Sequence, residues 1–177
     1  SALSSAGYLS FSNTIKLLRA RGQAMQNAVP RGEGGMVAVL GTTVQEIEKI
    51  LNENINNFLV QIANDNSDGQ LVLSGKMEDL SKLIDILKSK NIKNVLLPVS
   101  APFHCKLMNK ASDIMKREIE KTDFQESKQI LISNVTADEI KNKEQLKNLL
   151  IDQIENRVRW RESVLKMIDN GVNHFIE

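Results

Sequence analysis

The order of apolar segments between residues 36 and 100 is the feature that most restricts the fold of this chain. Short runs rich in valine, leucine and isoleucine, typical of buried strands, alternate with segments whose apolar residues recur every three or four positions, which is typical of amphipathic helices. The order is strand, helix, strand, strand, helix, strand, with the strands predicted at "MVAVLG", "NFLVQIAN", "QLVLSG" and "NVLLPVS". This is the split β-α-β order of ferredoxin-like domains, so residues 36–99 are predicted to form such an α+β subdomain.

Turn and cap residues support these boundaries. Thr43 and Glu46 have the spacing of a capping box, in which the threonine side chain accepts from an early helical N–H and the glutamate reaches back to the cap. The polar stretch "DNSDG" is typical of a turn, which makes the strands on either side of it a predicted hairpin.

The flanking residues, 1–35 and 100–177, are predicted to be parts of a larger α/β body. Residues 11–29 form a predicted helix that ends before Pro30, and its apolar face comprises Phe11, Ile15, Leu18, Gly22, Met25 and Val29. After residue 100, three more amphipathic segments alternate with predicted strands at "QILISNV" and "VNHFIE". Gly171 is the expected end of the last helix.

Composition excludes several functional classes. The chain has 177 residues, enough for one domain with a small insertion, and a net charge of only +1, which gives no support to nucleic-acid binding. No apolar run approaches the roughly 20 residues that span a bilayer, and no secretory signal is visible, so we expect a cytoplasmic protein. The single cysteine, Cys105, excludes an internal disulfide. Both ends of the sequence look cut, and we expect an internal fragment of a longer protein.

His104, in "VSAPFHCKLM", is the first candidate for chemistry. It follows a predicted strand and a proline at the opening of a helix, where α/β proteins often carry functional side chains, and imidazole exchanges protons near neutral pH. The alternative is a histidine that merely satisfies its hydrogen bonds in the core. A metal site with His174 is not favoured, because the chain contains no paired metal-ligand spacing.

Arg21 is the second candidate. It lies at the edge of the apolar face of the first long helix, where a permanent positive charge is costly unless an anion pairs with it. Its planar guanidinium matches a carboxylate with two parallel hydrogen bonds. The alternatives are a side chain that extends to solvent or one that pairs with Glu33.

Two asparagines in "ANDNSDGQ", Asn64 and Asn66, are the third candidate. Such residues usually serve only the backbone of a turn, but their amides could also bind a polar ligand. Trp160 is interpreted as a packing residue rather than a ligand platform.

Four blocks taken together resemble one family. They are "RGQAMQNAVPRGEGGMVAVLG", "ANDNSDGQLVLSG", "LPVSAPFHCKLM" and "RVRWRESVLKMIDNGVNHFIE". In order and spacing they are similar to blocks of the bacterial malonyl-CoA:acyl carrier protein transacylases, and the similarity runs through nearly the whole chain. The resemblance implies an α/β-hydrolase-like acyltransferase body with an inserted ferredoxin-like subdomain.

The resemblance also implies roles for particular residues. His104 would be the base for a nucleophilic serine, and Arg21 would bind the free carboxylate of a malonyl group. Met25 would line the pocket, Phe103 would disfavour branched acyl groups, and Asn64 and Asn66 would face the active-site cleft. The implied partners are malonyl-CoA, as substrate, and acyl carrier protein, with no cofactor and no metal, in a monomeric parent enzyme of fatty acid biosynthesis.

The nucleophile that the family requires is missing from these 177 residues. The family places its serine in G-H-S-x-G, and no G-x-S-x-G occurs here. Without that serine an acyl-enzyme has no first step, so this chain alone is expected to be inactive. Two other interpretations stay open: a non-catalytic ligand-binding ferredoxin-like module, and a piece of a longer protein that self-associates through exposed core edges.

Overall fold

Helices and strands alternate through most of the chain. The computed structural model describes residues 2–54 and 58–176. The elements are α1 (Ala2–Ser5), α2 (Phe11–Gln26), β1 (Gly34–Leu40), α3 (Val44–Glu53), β2 (Val60–Ser67), β3 (Gln70–Lys76), α4 (Met77–Ser89), β4 (Lys93–Leu96), a 3-10 turn (Lys106–Met108), α5 (Asn109–Glu120), β5 (Ile132–Ser133), β6 (Asp138–Glu139), α6 (Lys143–Asp152) and α7 (Trp160–Asp169). None of the helices in the described ranges has both the length and the apolar character to cross a membrane.

Strands β1 to β4 form one sheet in the order β2-β3-β1-β4, and every neighbouring pair is antiparallel. Side chains alternate between its faces, as the two-residue period of a strand requires. Leu71 and Leu73 of β3 pack in the cluster beneath the helices, whereas Val72 between them packs in a small cluster on the opposite face. The observed strand order and directions agree with the strand-helix-strand-strand-helix-strand prediction.

Helices α3 and α4 cover one face of the sheet because each has a single apolar side. Ile47 and Ile50 of α3 and Leu80, Leu83 and Leu87 of α4 are buried against the sheet. The Thr43 hydroxyl accepts from the Glu46 N–H, as predicted, but the Glu46 carboxylate accepts from the Thr42 hydroxyl instead of reaching back to the cap. The Thr42 hydroxyl donates to this carboxylate at 2.6 Å.

Helices α2, α5 and α6 form a second cluster. Its buried members are Leu9, Ala24, Met25, Ala28, Ala101, Met108, Ala111, Met115, Ile119, Phe124, Leu146 and Ile154. The predicted apolar face of α2 is wrong in its first half, because Phe11 is 74% exposed and Ile15 and Leu18 are about half exposed. Small residues explain the difference: the alanines of α2 and Ala111 of α5 let the two backbones approach closely, so α2 turns its alanine side inward.

Helix α2 also ends earlier than predicted, at Gln26 rather than residue 29. Pro30 disfavours helical backbone in the residue before it, and Asn27 already caps the helix. The predicted end of α7 is confirmed, because Gly171 has a φ of +87°, a left-handed conformation that glycine adopts without strain.

The predicted turn "DNSDG" is shorter than expected. Strand β2 continues through Ser67, so Asn64 and Asn66 lie on a strand and only Asp68 and Gly69 turn the chain. The end of β2 is polar, so a hydrophobicity pattern does not predict it as a strand. It is extended in the structure because Asn64 forms a main-chain β-bridge with Val158. Asn57, the first residue of the predicted strand "NFLVQIAN", lies outside the described residues.

Three other predicted strands are shortened or missing. "NVLLPVS" is a strand only to Leu96, two residues before Pro98, which lacks an N–H for the ladder. Of "QILISNV" only Ile132–Ser133 pairs, with Asp138–Glu139. Residues 172–176 of "VNHFIE" are exposed and form no strand, because no other strand in the described ranges lies beside them; Glu177 is outside those ranges. An extended segment becomes a strand only where a neighbour supplies hydrogen bonds.

Candidate active site

The segment after β4 carries His104 back across the sheet. The Leu97 N–H donates to the Met36 carbonyl at 2.9 Å, and two residues after the histidine the Lys106 N–H donates to Oε1 of Gln61 on β2 at 2.7 Å. Pro102 packs so closely on Gly34 that a Cβ there would lie 2.4 Å from the proline ring. Glycine at position 34 therefore allows the segment to lie flat on the edge of β1.

His104 has a left-handed backbone, with a φ of +58°. This conformation is uncommon outside glycine, although histidine adopts it more often than most residues do. It directs the imidazole to the end of α6, where Nδ1 lies 2.7 Å from the carbonyl oxygen of Gln153. That carbonyl belongs to the C-cap of α6 and has no partner within the helix, so the imidazole satisfies it.

The contact with Gln153 fixes which ring nitrogen of His104 carries the proton. A carbonyl oxygen only accepts hydrogen bonds, so Nδ1 must donate, and in the neutral ring Nε2 then carries the free lone pair. Burial lowers the pKa of His104 below its ordinary value of about 6.5; the hydrogen bond to Gln153 opposes this shift, and the positive charge of Arg21 adds to it. The imidazole is therefore neutral at pH 7 and has the geometry of a general base.

Arg21 lies on α2, half-buried and close enough for its charge to act on His104. Desolvation lowers the pKa of the guanidinium, which nevertheless stays charged. No carboxylate of residues 2–54 or 58–176 lies within ion-pair distance of it. The predicted alternative of pairing with Glu33 is therefore not observed, and the charge is available to an external anion.

A cavity of about 380 Å³ is lined by Arg21 and by Gln153, the hydrogen-bond partner of His104, but not by His104 itself. Arg21, Asn134 and Gln153 are among its polar lining residues, and most of the rest of its wall is aliphatic, from residues such as Leu17 and Ile154. An apolar cavity with a few convergent polar groups is the usual form of a small-molecule site. The structure thus brings Arg21 and the Gln153–His104 pair to one place.

The other predicted pocket residues lie elsewhere. Met25 is 4% exposed and packs in the core cluster of α2 and α5. Phe103 is half-buried, packs against that cluster and against Met36, Ala63 and Val72, and lines a separate groove near Pro98. Substrate contacts by Met25 and Phe103 remain predictions.

The asparagines of β2, Asn64 and Asn66, are both half-buried, and they flank a residue that the sequence analysis passed over. Asp65 is fully buried and accepts a two-pronged hydrogen bond from Arg161, with Nε to Oδ1 at 3.0 Å and Nη2 to Oδ2 at 2.8 Å. A carboxylate within a strand is the only sequence signal that this pair gives.

Two further residues of the site were missed. Gln153 acts through its main-chain carbonyl, for which a side-chain pattern gives no signal. Asn134 lines the cavity; its Oδ1 accepts from the Ser163 hydroxyl at 3.0 Å, and its carbonyl accepts from the Arg159 N–H at 2.9 Å.

In the described part of the chain, no three His, Cys, Asp or Glu residues cluster as metal ligands.

A half-buried neutral imidazole, hydrogen-bonded to the Gln153 carbonyl, thus lies near a guanidinium that has no carboxylate partner among the described residues. The model of the acyl transferase domain family matches residues 1–177, so the chain belongs to that family. It is similar to the malonyl CoA-acyl carrier protein transacylase of Bacillus subtilis (strain 168), with 38% identity over 179 residues covering all of this chain and 56% of that protein. The corresponding protein of Staphylococcus aureus (strain COL) is 35% identical over all of the chain and 58% of its own length.

Solved structures of similar proteins show the same fold. The malonyl CoA-acyl carrier protein transacylase from Clostridium perfringens superposes with a TM-score of 0.93 at 35% identity, covering 97% of this chain and 54% of that one. A type II PKS acyl-carrier protein in complex with its malonyl-transacylase matches with a TM-score of 0.92 at 33% identity, covering 97% and 56%. The chain spans a little over half the length of these relatives. The predicted family and the α/β class are confirmed.

Proposed function

We propose that this chain supplies the base and the carboxylate-binding residue for malonyl transfer from malonyl-CoA to the phosphopantetheine thiol of acyl carrier protein, in fatty acid biosynthesis. The observation that carries the proposal is the hydrogen bond from His104 Nδ1 to the Gln153 carbonyl, beside the uncompensated charge of Arg21. The names of the relatives support the same substrates.

The first half-reaction forms a malonyl-serine. Nε2 of His104 takes the proton of a serine hydroxyl while the serine oxygen attacks the thioester carbonyl. When the tetrahedral intermediate collapses, the carbon–sulfur bond breaks and the imidazolium returns its proton to the departing coenzyme A thiolate. The Gln153 carbonyl stabilises the imidazolium, because its hydrogen bond to Nδ1 strengthens when the ring becomes charged.

The second half-reaction reverses the roles. His104 takes the proton of the phosphopantetheine thiol, and the thiolate attacks the malonyl-serine. The serine oxygen leaves with the proton from His104, and malonyl acyl carrier protein is released. Because the 177 residues contain no G-x-S-x-G sequence, we propose that the chain alone does not catalyse this cycle and that the serine comes from a longer polypeptide.

Finer features of the fold support the same assignment. The strand order β2-β3-β1-β4, with α3 and α4 on one face, agrees with a ferredoxin-like subdomain near residues 36–99 inserted into an α/β-hydrolase-like body formed in part by residues 1–35 and 100–177. In this arrangement Asn64 and Asn66 lie on β2, the strand that meets the body at Val158.

A chimera tests the proposed function. The chain replaces its matching segment in the Bacillus subtilis relative, and the chimera and the chain alone are each incubated with malonyl-CoA and examined by mass spectrometry. We expect a malonyl adduct on a serine of the chimera, its transfer to acyl carrier protein, and no adduct on the chain alone. A folded chimera that binds malonyl-CoA without forming the adduct would instead favour the ligand-binding module.

Phe103 gives a prediction on acyl-group selectivity. In the chimera, Phe103→Ser removes the ring of the residue that precedes the base in sequence. If that ring limits the acyl site as the family resemblance implies, we expect methylmalonyl transfer relative to malonyl transfer to rise about tenfold or more, because one extra carbon in an acyl site changes transfer by about 1–3 kcal/mol. The ratio of kcat/KM for the two thioesters measures the effect. Phe103→Leu, which keeps most of the bulk, is the control. An unchanged ratio in the serine variant removes Phe103 from this role.

A further inference from the structure

Strand β2 contacts both of the segments that build the candidate base. On one side, Oε1 of Gln61 holds the Lys106 N–H, two residues after His104. On the other side, the Val158 N–H donates to the Ala63 carbonyl at 2.8 Å, and the Val158 carbonyl accepts from the Asp65 N–H at 2.9 Å. A single strand therefore supports both the imidazole and the segment that carries its acceptor.

The Asp65–Arg161 pair adds a second attachment at the same place. Arg161 lies in the first turn of α7, three residues after Val158, and its guanidinium meets the fully buried carboxylate of Asp65 in a two-pronged geometry. A fork of two hydrogen bonds fixes orientation as well as distance. The start of α7 is thus held to β2 through both main chain and side chains.

Only four residues separate Gln153 from Val158, and hydrogen bonds restrict them. The Asn156 N–H and Nδ2 both donate to the Asp152 carbonyl, at 3.1 Å and 2.7 Å, and Nε2 of Gln153 donates to the Asn156 carbonyl at 3.0 Å. One end of this short segment is the C-terminus of α6 and the other is fixed on β2. A shift of the β2 end will be passed to the Gln153 carbonyl.

We propose that Asp65 and Arg161 are positioning residues for His104: their ion pair holds the start of α7 on β2, which keeps the Gln153 carbonyl within reach of Nδ1. The inference rests on the proposed function for its catalytic meaning. Its structural content is independent of that function, because it concerns which ring nitrogen of His104 carries the proton in the resting chain.

The histidine tautomer distinguishes this role from a general contribution to stability. The chain has only two histidines, and His174 is exposed near the C-terminus, so it serves as an internal reference. Nitrogen-15 NMR of labelled histidine, recorded at about pH 8, above the ordinary pKa of the ring, reports the proton on each nitrogen. The charged group whose field acts on His104 is Arg21 on α2, and it is unchanged in every variant.

The test compares the wild-type chain with Asp65→Asn, Arg161→Lys and Leu83→Ala. We expect wild-type His104 to be protonated on Nδ1. In Asp65→Asn this preference should be lost, giving a mixture of the two tautomers. In Arg161→Lys, which keeps the positive charge but not the two-pronged hydrogen bond, the fraction of the Nδ1-protonated tautomer should fall by a smaller amount. Leu83→Ala weakens the buried contacts of α4 without removing any hydrogen bond to His104 or Gln153 or between Asp65 and Arg161, and it should leave the His104 tautomer unchanged. The signals of His174 should move in none of them.

A wild-type His104 tautomer in folded Asp65→Asn and Arg161→Lys would overturn the inference, as would an equal shift in Leu83→Ala. If Asp65→Asn does not fold, Arg161→Lys decides the question by itself. Since no substrate is present, failure of this test is distinguishable from failure of the chimera to form a malonyl adduct.

Discussion

Arg21→Ala should remove the preference of the chimera for malonyl-CoA over acetyl-CoA. The guanidinium lies half-buried at a cavity in which the described residues provide no carboxylate partner, so the carboxylate of a bound malonyl group is the anion expected to pair with it. Removing one partner of a desolvated charge pair costs about 2–5 kcal/mol. We therefore expect kcat/KM for malonyl-CoA to fall roughly 30-fold to more than 1,000-fold, while the value for acetyl-CoA, which has no charge to lose, changes little.

Arg21→Lys is the matched control for this prediction. It keeps a positive charge, but an ammonium group cannot form the two parallel hydrogen bonds that a guanidinium forms with a carboxylate. We therefore expect a decrease in kcat/KM for malonyl-CoA that is smaller than in Arg21→Ala. Equal losses for the two thioesters in Arg21→Ala would remove Arg21 from carboxylate binding and leave it a structural residue of α2.

The same variant has a second, independent readout in its pH profile. In the wild-type chimera the acid limb of kcat/KM should lie below pH 6.5, because burial and the charge of Arg21 both lower the pKa of His104 and the ring must be neutral to act as a base. Removing Arg21 removes one of these two causes, so the pKa of His104 rises and the acid limb moves to higher pH.

Side-chain chemistry made part of this site predictable from sequence. His104 and Arg21 are rare or costly residue types in apolar surroundings, and the "SAPFHCKLM" and "RGQAMQ" blocks that contain them resemble family blocks. Gln153 was not predictable, because a main-chain carbonyl at a helix end functions identically in almost any residue. The role of Gln153 depends on where α6 ends and on the left-handed φ of His104. Both features are set by the tertiary structure and cannot be read from a local sequence pattern.

The fold shows the same division between local and tertiary information. The order of the central strands and helices follows from local periodicity, and the structure agrees with it. The inward side of α2 depends instead on its packing against α5. The larger apolar residues Phe11, Ile15 and Leu18 are exposed, whereas Ala24 and Met25 of α2 are buried in the cluster shared with α5. Similarly, β2 extends through polar residues because Val158, from a distant part of the chain, bonds to it.

The Asp65–Arg161 pair should dominate the stability of the junction between β2 and α7, with unequal costs for its two members. Asp65 is fully buried, whereas the Arg161 side chain is 33% exposed. Arg161→Met leaves a buried carboxylate without its partner, and we expect the free energy of unfolding to fall by about 3–5 kcal/mol. Asp65→Ala leaves a guanidinium that water can reach, so its cost should be smaller, about 2 kcal/mol.

Urea denaturation of the chain measures these changes, and the double variant Asp65→Leu/Arg161→Met completes the test. Replacing both charges with apolar side chains avoids an unpaired buried ion, so the double variant should be more stable than Arg161→Met alone. Lys166→Met, on the same helix as Arg161, breaks only the exposed pair with Asp138 of β6, and it should cost far less than Arg161→Met. If Asp65→Ala proves more costly than Arg161→Met, the buried carboxylate must have another source of stabilisation, and Arg161 would lose its place as the residue that holds α7 to β2.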